Sequence, residues 1–126
     1  MHYAILCYND EDVVWSLSKE EDDAMMARLN VVQEPLIKAG KIGPSLRLLP
    51  TTAATTLRKT QDGPLVIDGP FAETKEQLLG FYIVEVANLD EALDIARGLM
   101  GAQTGSTYEI RPISLFLPDQ RRRTSQ

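Results

Sequence analysis

"GFYIVEVANLDEALDIARGLM", residues 80–100, carries the two periodicities that decide the fold. Side chains alternate along a strand, so Tyr82, Val84 and Val86 share one face while Phe81, Ile83 and Glu85 share the other. The run 80–87 is therefore a β-strand with apolar residues on both faces. Asn88 then offers a side-chain oxygen at a helix start, with Glu91 three residues on. Ala92, Ile95, Ala96 and Leu99 recur at helical spacing, and Gly98 weakens the end of the helix. "GAQTG", residues 101–105, reads as a loop, and "STYEIRPISLF", residues 106–116, as a last strand. In that strand Tyr108 and Ile110 share a face, with Glu109 and Arg111 on the opposite one.

The first half has the same architecture without repeating the sequence. Residues 3–8 form a short apolar strand closed by Asn9-Asp10. Ser18 and Glu21 make a capping box, and Glu20, Asp22 and Asp23 crowd the positive end of the helix dipole. Met25, Leu29, Val32 and Leu36 form the buried stripe, widened by Met26 and Ile37. Pro35 predicts a kink or a break, and Gly40 a C-terminal stop. "SLRLLP", residues 45–50, is a second strand bounded by Pro44 and Pro50. "ATTLRK" and "PLVI" flank "TQDG", residues 60–63, as a hairpin in which Gly63 supplies a positive φ and Pro64 opens the return strand. The order strand, helix, strand, hairpin, strand, helix, strand predicts an α+β fold: a ferredoxin-like split βαβ sandwich with an inserted β-hairpin.

Two helices cover one face of such a sheet. The other face keeps Phe81, Ile83 and apolar residues of the first strand, so two sheets are expected to pack face to face in a homodimer. Glu85, Glu109 and Arg111 would then lie inside or at the rim of a cleft between the sheets. The alternative for these three is a structural salt-bridge cluster.

Composition narrows the partners. A chain of 126 residues, 44% hydrophobic and 25% charged, suits one domain with one core. Setting aside Arg121, Arg122, Arg123 and Asp119 leaves 10 basic and 17 acidic residues, a body at −7 that repels phosphate backbones. No nucleic-acid partner is expected, and residues 118–126 read as a basic, solvated tail beyond a domain spanning 1–117. Cys7 is the only cysteine, which precludes an internal disulfide and fits a reducing cytoplasm. No apolar run is long enough to span a membrane, and the N-terminus reads as a strand rather than a signal peptide. No residue cluster has metal-ligand spacing, and neither GxSxG nor a phosphate-cradling glycine loop occurs, so no metal or organic cofactor is expected. Cys7, inside the first strand, reads as an inert buried thiol, and Trp15 as packing near the helix start.

The run "VIDGPFAETKEQLLGFYIVEVANLDEA", residues 66–92, resembles the hallmark segment of the DGPF family within the YCII-related superfamily. "YAILCYND" and "TYEIRPI" match the layout of that family as well, so the similarity spans residues 1–115 and leaves out the Arg-rich tail. The resemblance implies a dimer whose sheets pack as an α/β barrel, and a link to sigma-factor signalling. It also implies kinship with a cofactor-independent lyase that removes chloride from a chlorinated hydroxyquinone. Relatives often carry a His on the first helix, paired with the Asp of the motif as a proposed acid–base dyad. The matching "MMARLNVV", residues 25–32, has no His.

Asp68 is thus the candidate catalytic residue, with Arg28, Tyr8 or Tyr82 as its available partners; His2 is the only imidazole and lies beside the terminus. Gly69 permits a tight turn, Pro70 sets the next step, and Phe71 can plug a cleft or the dimer seam. The other reading makes this turn structural, with Asp68 capping backbone donors and Phe71 packing. The expected ligand-binding cleft combines Tyr8, Arg28, Asp68, Gly69, Pro70 and Phe71 with Tyr82, Glu85, Glu109 and Arg111. Three functions stand at this level: a domain that binds an unidentified small molecule, a cofactor-free acid–base enzyme using Asp68, and a dimeric adaptor.

Overall fold

Capping side chains start both long helices where the sequence places them, and one antiparallel sheet carries the two βα halves. The protein is represented by a computed structural model that describes residues 1–103 and 107–119. Its elements are β1 (His2–Asn9), α1 (Glu11–Trp15), α2 (Lys19–Lys38), β2 (Ile42–Arg47), a 3-10 turn (Thr51–Ala53), β3 (Thr55–Thr60), β4 (Gly63–Asp68), β5 (Gln77–Glu85), α3 (Leu89–Ala102) and β6 (Thr107–Pro112). The main sheet has the order β2-β5-β1-β6 with every neighbouring pair antiparallel, an arrangement compatible with a ferredoxin-like α+β sandwich. β3 and β4 form a separate two-stranded sheet inserted between β2 and β5. No helix among the described residues is long and apolar enough to cross a membrane.

Register sorts the side chains as the alternation predicts. Tyr3, Ile5 and Cys7 of β1 stand opposite Val84, Tyr82 and Gly80 of β5, and opposite Pro112, Ile110 and Tyr108 of β6. This face packs on Met25 and Leu29 of α2 and on Ala92, Ile95, Ala96, Leu99 and Ala102 of α3 in a single core. The opposite face presents Ala4 against Ile83 and Arg111, and Leu6 against Phe81 and Glu109. The chain's own C-terminal run reaches it, where the ring of Phe116 lies 4.8 Å from that of His2.

Ser18 accepts from the Glu21 N–H at 3.1 Å and its own N–H donates to the Glu21 carboxylate at 3.0 Å, so the capping box is present. Asn88 accepts from the Glu91 N–H at 3.0 Å at the start of α3. Gly40 ends α2 with φ +69°, while the Lys41 N–H returns to the Leu36 carbonyl at 2.9 Å. Glu91 also accepts from the Ala87 N–H at 3.2 Å and from Lys41 Nζ at 3.3 Å.

These last contacts, the Ala87 N–H first and Lys41 second, hold the Glu91 carboxyl below its ordinary value of 4.5. A depressed carboxylate stabilises the fold above its unfolded value and loses that contribution as pH falls through the folded one. Glu91→Gln is therefore expected to lower stability by a near-constant amount from neutral to alkaline pH and to flatten its decline in acid below 4.5, where the two proteins converge. Urea unfolding of both proteins across that range measures the slope.

Four expectations need correction. Pro35 neither breaks nor ends α2, which runs unbroken to Lys38. Pro35 forfeits the bond to the Val31 carbonyl, yet the helix continues past it, and its own carbonyl accepts from Ala39 at 3.0 Å. The second strand is Ile42–Arg47 rather than 45–50, and it contains Pro44. β2 is an edge strand with an irregular register between Ile42 and Ser45, and both features tolerate a residue without an N–H. α3 continues through Gly98 and Gly101 to Ala102, so the loop begins later than "GAQTG". β6 stops at Pro112, because after the Ile113 N–H bonds the His2 carbonyl at 2.9 Å, β1 has no further strand residue to pair. The short helix α1 had gone unread; Asp10 caps it by accepting from the Asp12 N–H at 2.9 Å.

Candidate functional site

Between α2 and the helix-covered face of the sheet lies a cavity of about 430 Å³. The sheet contributes Cys7 from β1, Gly80 and Tyr82 from β5, and Tyr108 from β6. α2 contributes Met25, Met26, Leu29 and Gln33, β2 contributes Ser45, Leu46 and Arg47, and Val14 of α1, Gln103, and Leu79 and Phe81 of β5 also line it. The helical stripe and the sheet alternation explain the choice of residues. Met25 and Leu29 are four apart and look at the sheet, while Tyr82 and Tyr108 flank Cys7 on the same face as Ile5.

α1 and the 3-10 turn are tied into one wall beside this space by Glu11. Its carboxylate accepts from both the N–H and the hydroxyl of Thr51, the former at 2.9 Å, and its own N–H donates to the Gln77 side chain at 2.9 Å. The polar end of the cavity is a chain of neutral groups. Gln103 Nε2 donates to the Tyr108 hydroxyl, and Tyr108 in turn meets the Cys7 thiol. Burial pushes the Cys7 thiol up to about 11, and burial likewise raises the Tyr82 and Tyr108 phenols. All three side chains therefore stay protonated at neutral pH, and Cys7 is an inert thiol, as its place in the first strand implies. On the exposed side, Arg47 Nη1 pairs with Asp22 at 3.3 Å and Nη2 touches Met26 Sδ at 3.4 Å.

Comparison with known proteins fits this layout. The family model of the YCII-related domain matches residues 1–117. The chain belongs to the YCII-related family. It is 57% identical over 122 residues to an uncharacterised protein of Rhizobium meliloti (strain 1021), covering 95% of this chain and 98% of that one.

Within this YCII-related domain, the residues singled out from sequence fall in three places. Tyr82 lines the α2 cavity. Tyr8, Glu85, Glu109 and Arg111 lie on the open face of the sheet, where Arg111 Nη2 meets Glu109 at 3.0 Å and Glu85 meets His2 Nε2 at 3.3 Å. Within one chain Glu109 and Arg111 thus pair with each other, while Glu85 meets His2 instead of joining them. Asp68, Gly69, Pro70 and Phe71 occupy the end of the inserted hairpin. Gly69 adopts φ +107°, its N–H bonds the Ala54 carbonyl at 2.8 Å, and its carbonyl accepts from the Thr56 hydroxyl at 2.8 Å. Only glycine takes that φ without strain, so the turn reading holds for Gly69. The Asp68 side chain is exposed and Phe71 is 76% exposed, so within a single chain Phe71 plugs nothing. Arg28 points elsewhere, donating from Nε to the Ala102 carbonyl at 3.2 Å and so tying α2 to the end of α3.

Sequence reasoning missed Gln33, Arg47, Gln103 and Tyr108 as cavity residues. Adjacent methionines at 25 and 26, on a stripe otherwise built from Leu and Val, were the available signal, since methionine suits a surface that adapts to a guest. Among the described residues no group of His, Cys, Asp and Glu could hold a metal ion. The Arg-rich segment from residue 120 onward lies outside the described residues.

Proposed function

We propose that this YCII-related protein binds a small molecule in the cavity between α2 and the sheet, and that it does so as a homodimer. The cavity carries the first part. Its 430 Å³ lies within the range of about 300–1,000 Å³ typical of small-molecule sites, and its wall is apolar with a few convergent polar groups.

A screen of metabolites by thermal shift tests this. A ligand should raise the melting temperature, and Met26→Trp, which sets an indole at the exposed side of the cavity, should abolish the rise. Asp68 does not line the cavity, so Asp68→Asn should leave binding unchanged. A ligand whose effect survives Met26→Trp and vanishes in Asp68→Asn would instead favour the enzyme reading built on Asp68.

The dimer rests on the open face of the sheet. Ala4, Leu6 and Phe81 form a half-buried apolar strip there around the buried Ile83, which neither long helix covers, bordered by the pairs His2–Glu85 and Glu109–Arg111. Two such faces packed together make the α/β barrel expected of the family. Leu6→Lys discriminates: on a lone chain the new ammonium can face the neighbouring Glu109, whereas between two sheets it would be buried. Light scattering is expected to give twice the 14.0 kDa of the chain for the native protein and a single chain for the variant. A native protein that stays monomeric at micromolar concentration sinks the dimer.

A further inference from the structure

We infer that the guest of the α2 cavity is an uncharged aromatic or alicyclic compound bearing a hydroxyl or carbonyl oxygen, held by Tyr82, Tyr108 and Gln103. This deepens the cavity reading above and rests on it.

The first observation is the character of the polar end. Tyr82, Tyr108, Gln103 and Cys7 converge there, every one a neutral group. Gln103 donates to the Tyr108 hydroxyl and also hydrogen-bonds the Tyr82 hydroxyl, which sets both phenols around one point and leaves the amide carbonyl as an acceptor for a guest. Burial keeps both phenols and the thiol protonated, so this end offers hydrogen bonds and no charge.

The second observation is at the other end. Arg47 is the one charged side chain among the described residues that line the cavity, and Asp22 already faces its guanidinium at 3.3 Å. An anion entering the cavity would have to displace Asp22 or shed its water without a counter-charge. Either is costly in a space walled by Met25, Leu29 and Val14.

The third observation is size. An engineered apolar cavity of roughly 150 Å³ takes a benzene, so 430 Å³ accommodates a guest of two or three fused rings, or a ring with a chain.

Naphthalene, 2-naphthol and 2-naphthoate separate these features at nearly constant shape. Carbon-13 labelling of the methionine methyls supplies the readout, because Met25 and Met26 line the cavity while Met1 and Met100 do not. 2-Naphthol is expected to shift the Met25 and Met26 signals saturably and to leave Met100 still. 2-Naphthoate is expected to bind at least about tenfold more weakly, the loss of an unpaired charge in an apolar site. Tyr82→Phe with Gln103→Leu should weaken 2-naphthol about fivefold or more and leave naphthalene unchanged, the mark of lost hydrogen bonds rather than lost shape.

Naphthoate binding as tightly as naphthol overturns the inference, and so does naphthol binding that ignores both substitutions. If the double variant does not fold, Tyr82→Phe alone and the naphthol-to-naphthoate ratio on the native protein still decide. Silence from all three probes also overturns it, and a fragment set of mixed charge read on the same two methyls then judges the wider reading separately. Shifts from ions alone leave a binding cavity of a different chemistry, whereas no shift from any fragment removes the cavity as a site.

Discussion

Gly80→Ala is expected to lower unfolding free energy by about 3 kcal/mol or more, a loss of roughly 10 °C in melting temperature for a domain of this size. Gly80 sits on β5 opposite Cys7 of β1 and Arg47 of β2. A Cβ placed there would come within 2.0 Å of the Leu46 carbonyl oxygen and 3.2 Å of the Arg47 Cα. Both atoms belong to backbone, so no rotamer change relieves the clash. β2 must move off β5, at the cost of the ladder around Leu46 and Arg47 and of the Leu48 N–H bond to the Leu79 carbonyl at 2.7 Å. Because Leu46 and Arg47 also wall the cavity, the displacement should weaken ligand binding along with stability. Urea denaturation read by circular dichroism gives the first effect, and titration with whichever ligand the thermal-shift screen identifies gives the second. A variant as stable as the parent would mean that β2 does not approach β5 this closely.

Leu99→Ala is expected to cost about 3 kcal/mol, within the spread seen for leucines truncated in closed cores. Leu99 is fully buried, with 0% exposure, at the middle of the stripe that α3 turns to the sheet. Ile5 and Val84 are equally buried in the same cluster and hold fixed places in the central strands, so the surroundings have little freedom to collapse into the gap. The contrast is Val31→Ala on the outer side of α2, where 74% exposure predicts a change below about 0.5 kcal/mol. Parallel denaturation of the two variants tests the layering directly. Equal losses would mean that α3 does not pack on the sheet as described.

Much of the fold was legible because its signals are local. Ser18 with Glu21 and Asn88 with Glu91 are pairs three residues apart, and each can be read without knowing where the rest of the chain goes. The alternation Tyr82, Val84, Val86 names the buried face of β5 by the same economy. The errors arose where distant residues decide. Pro44 was placed outside β2 because nothing local says that this strand lies at an edge with an irregular register. The end of β6 depends on where β1 begins, a fact of pairing between strands about a hundred residues apart.

The candidate site shows the same division more sharply. Asp68 to Phe71 drew attention because the motif is conspicuous in sequence, and the hairpin fold explains Gly69 as a turn residue. The cavity is built from four strands and two helices whose contributing residues are individually ordinary. Met25, Arg47, Tyr82, Gln103 and Tyr108 become a site only when α2 crosses the sheet at a particular height. Composition, caps and periodicity act over a few residues, so the sequence alone carried the family, the order of the two long helices and the strands, and the faces that β5, β6, α2 and α3 turn inward. Tertiary structure alone decided the close approach of Gly80 to β2, the pairing of Arg47 with Asp22, and the neutral polar end of the cavity. Those features depend on distances between segments far apart along the chain, which packing sets and no local pattern encodes.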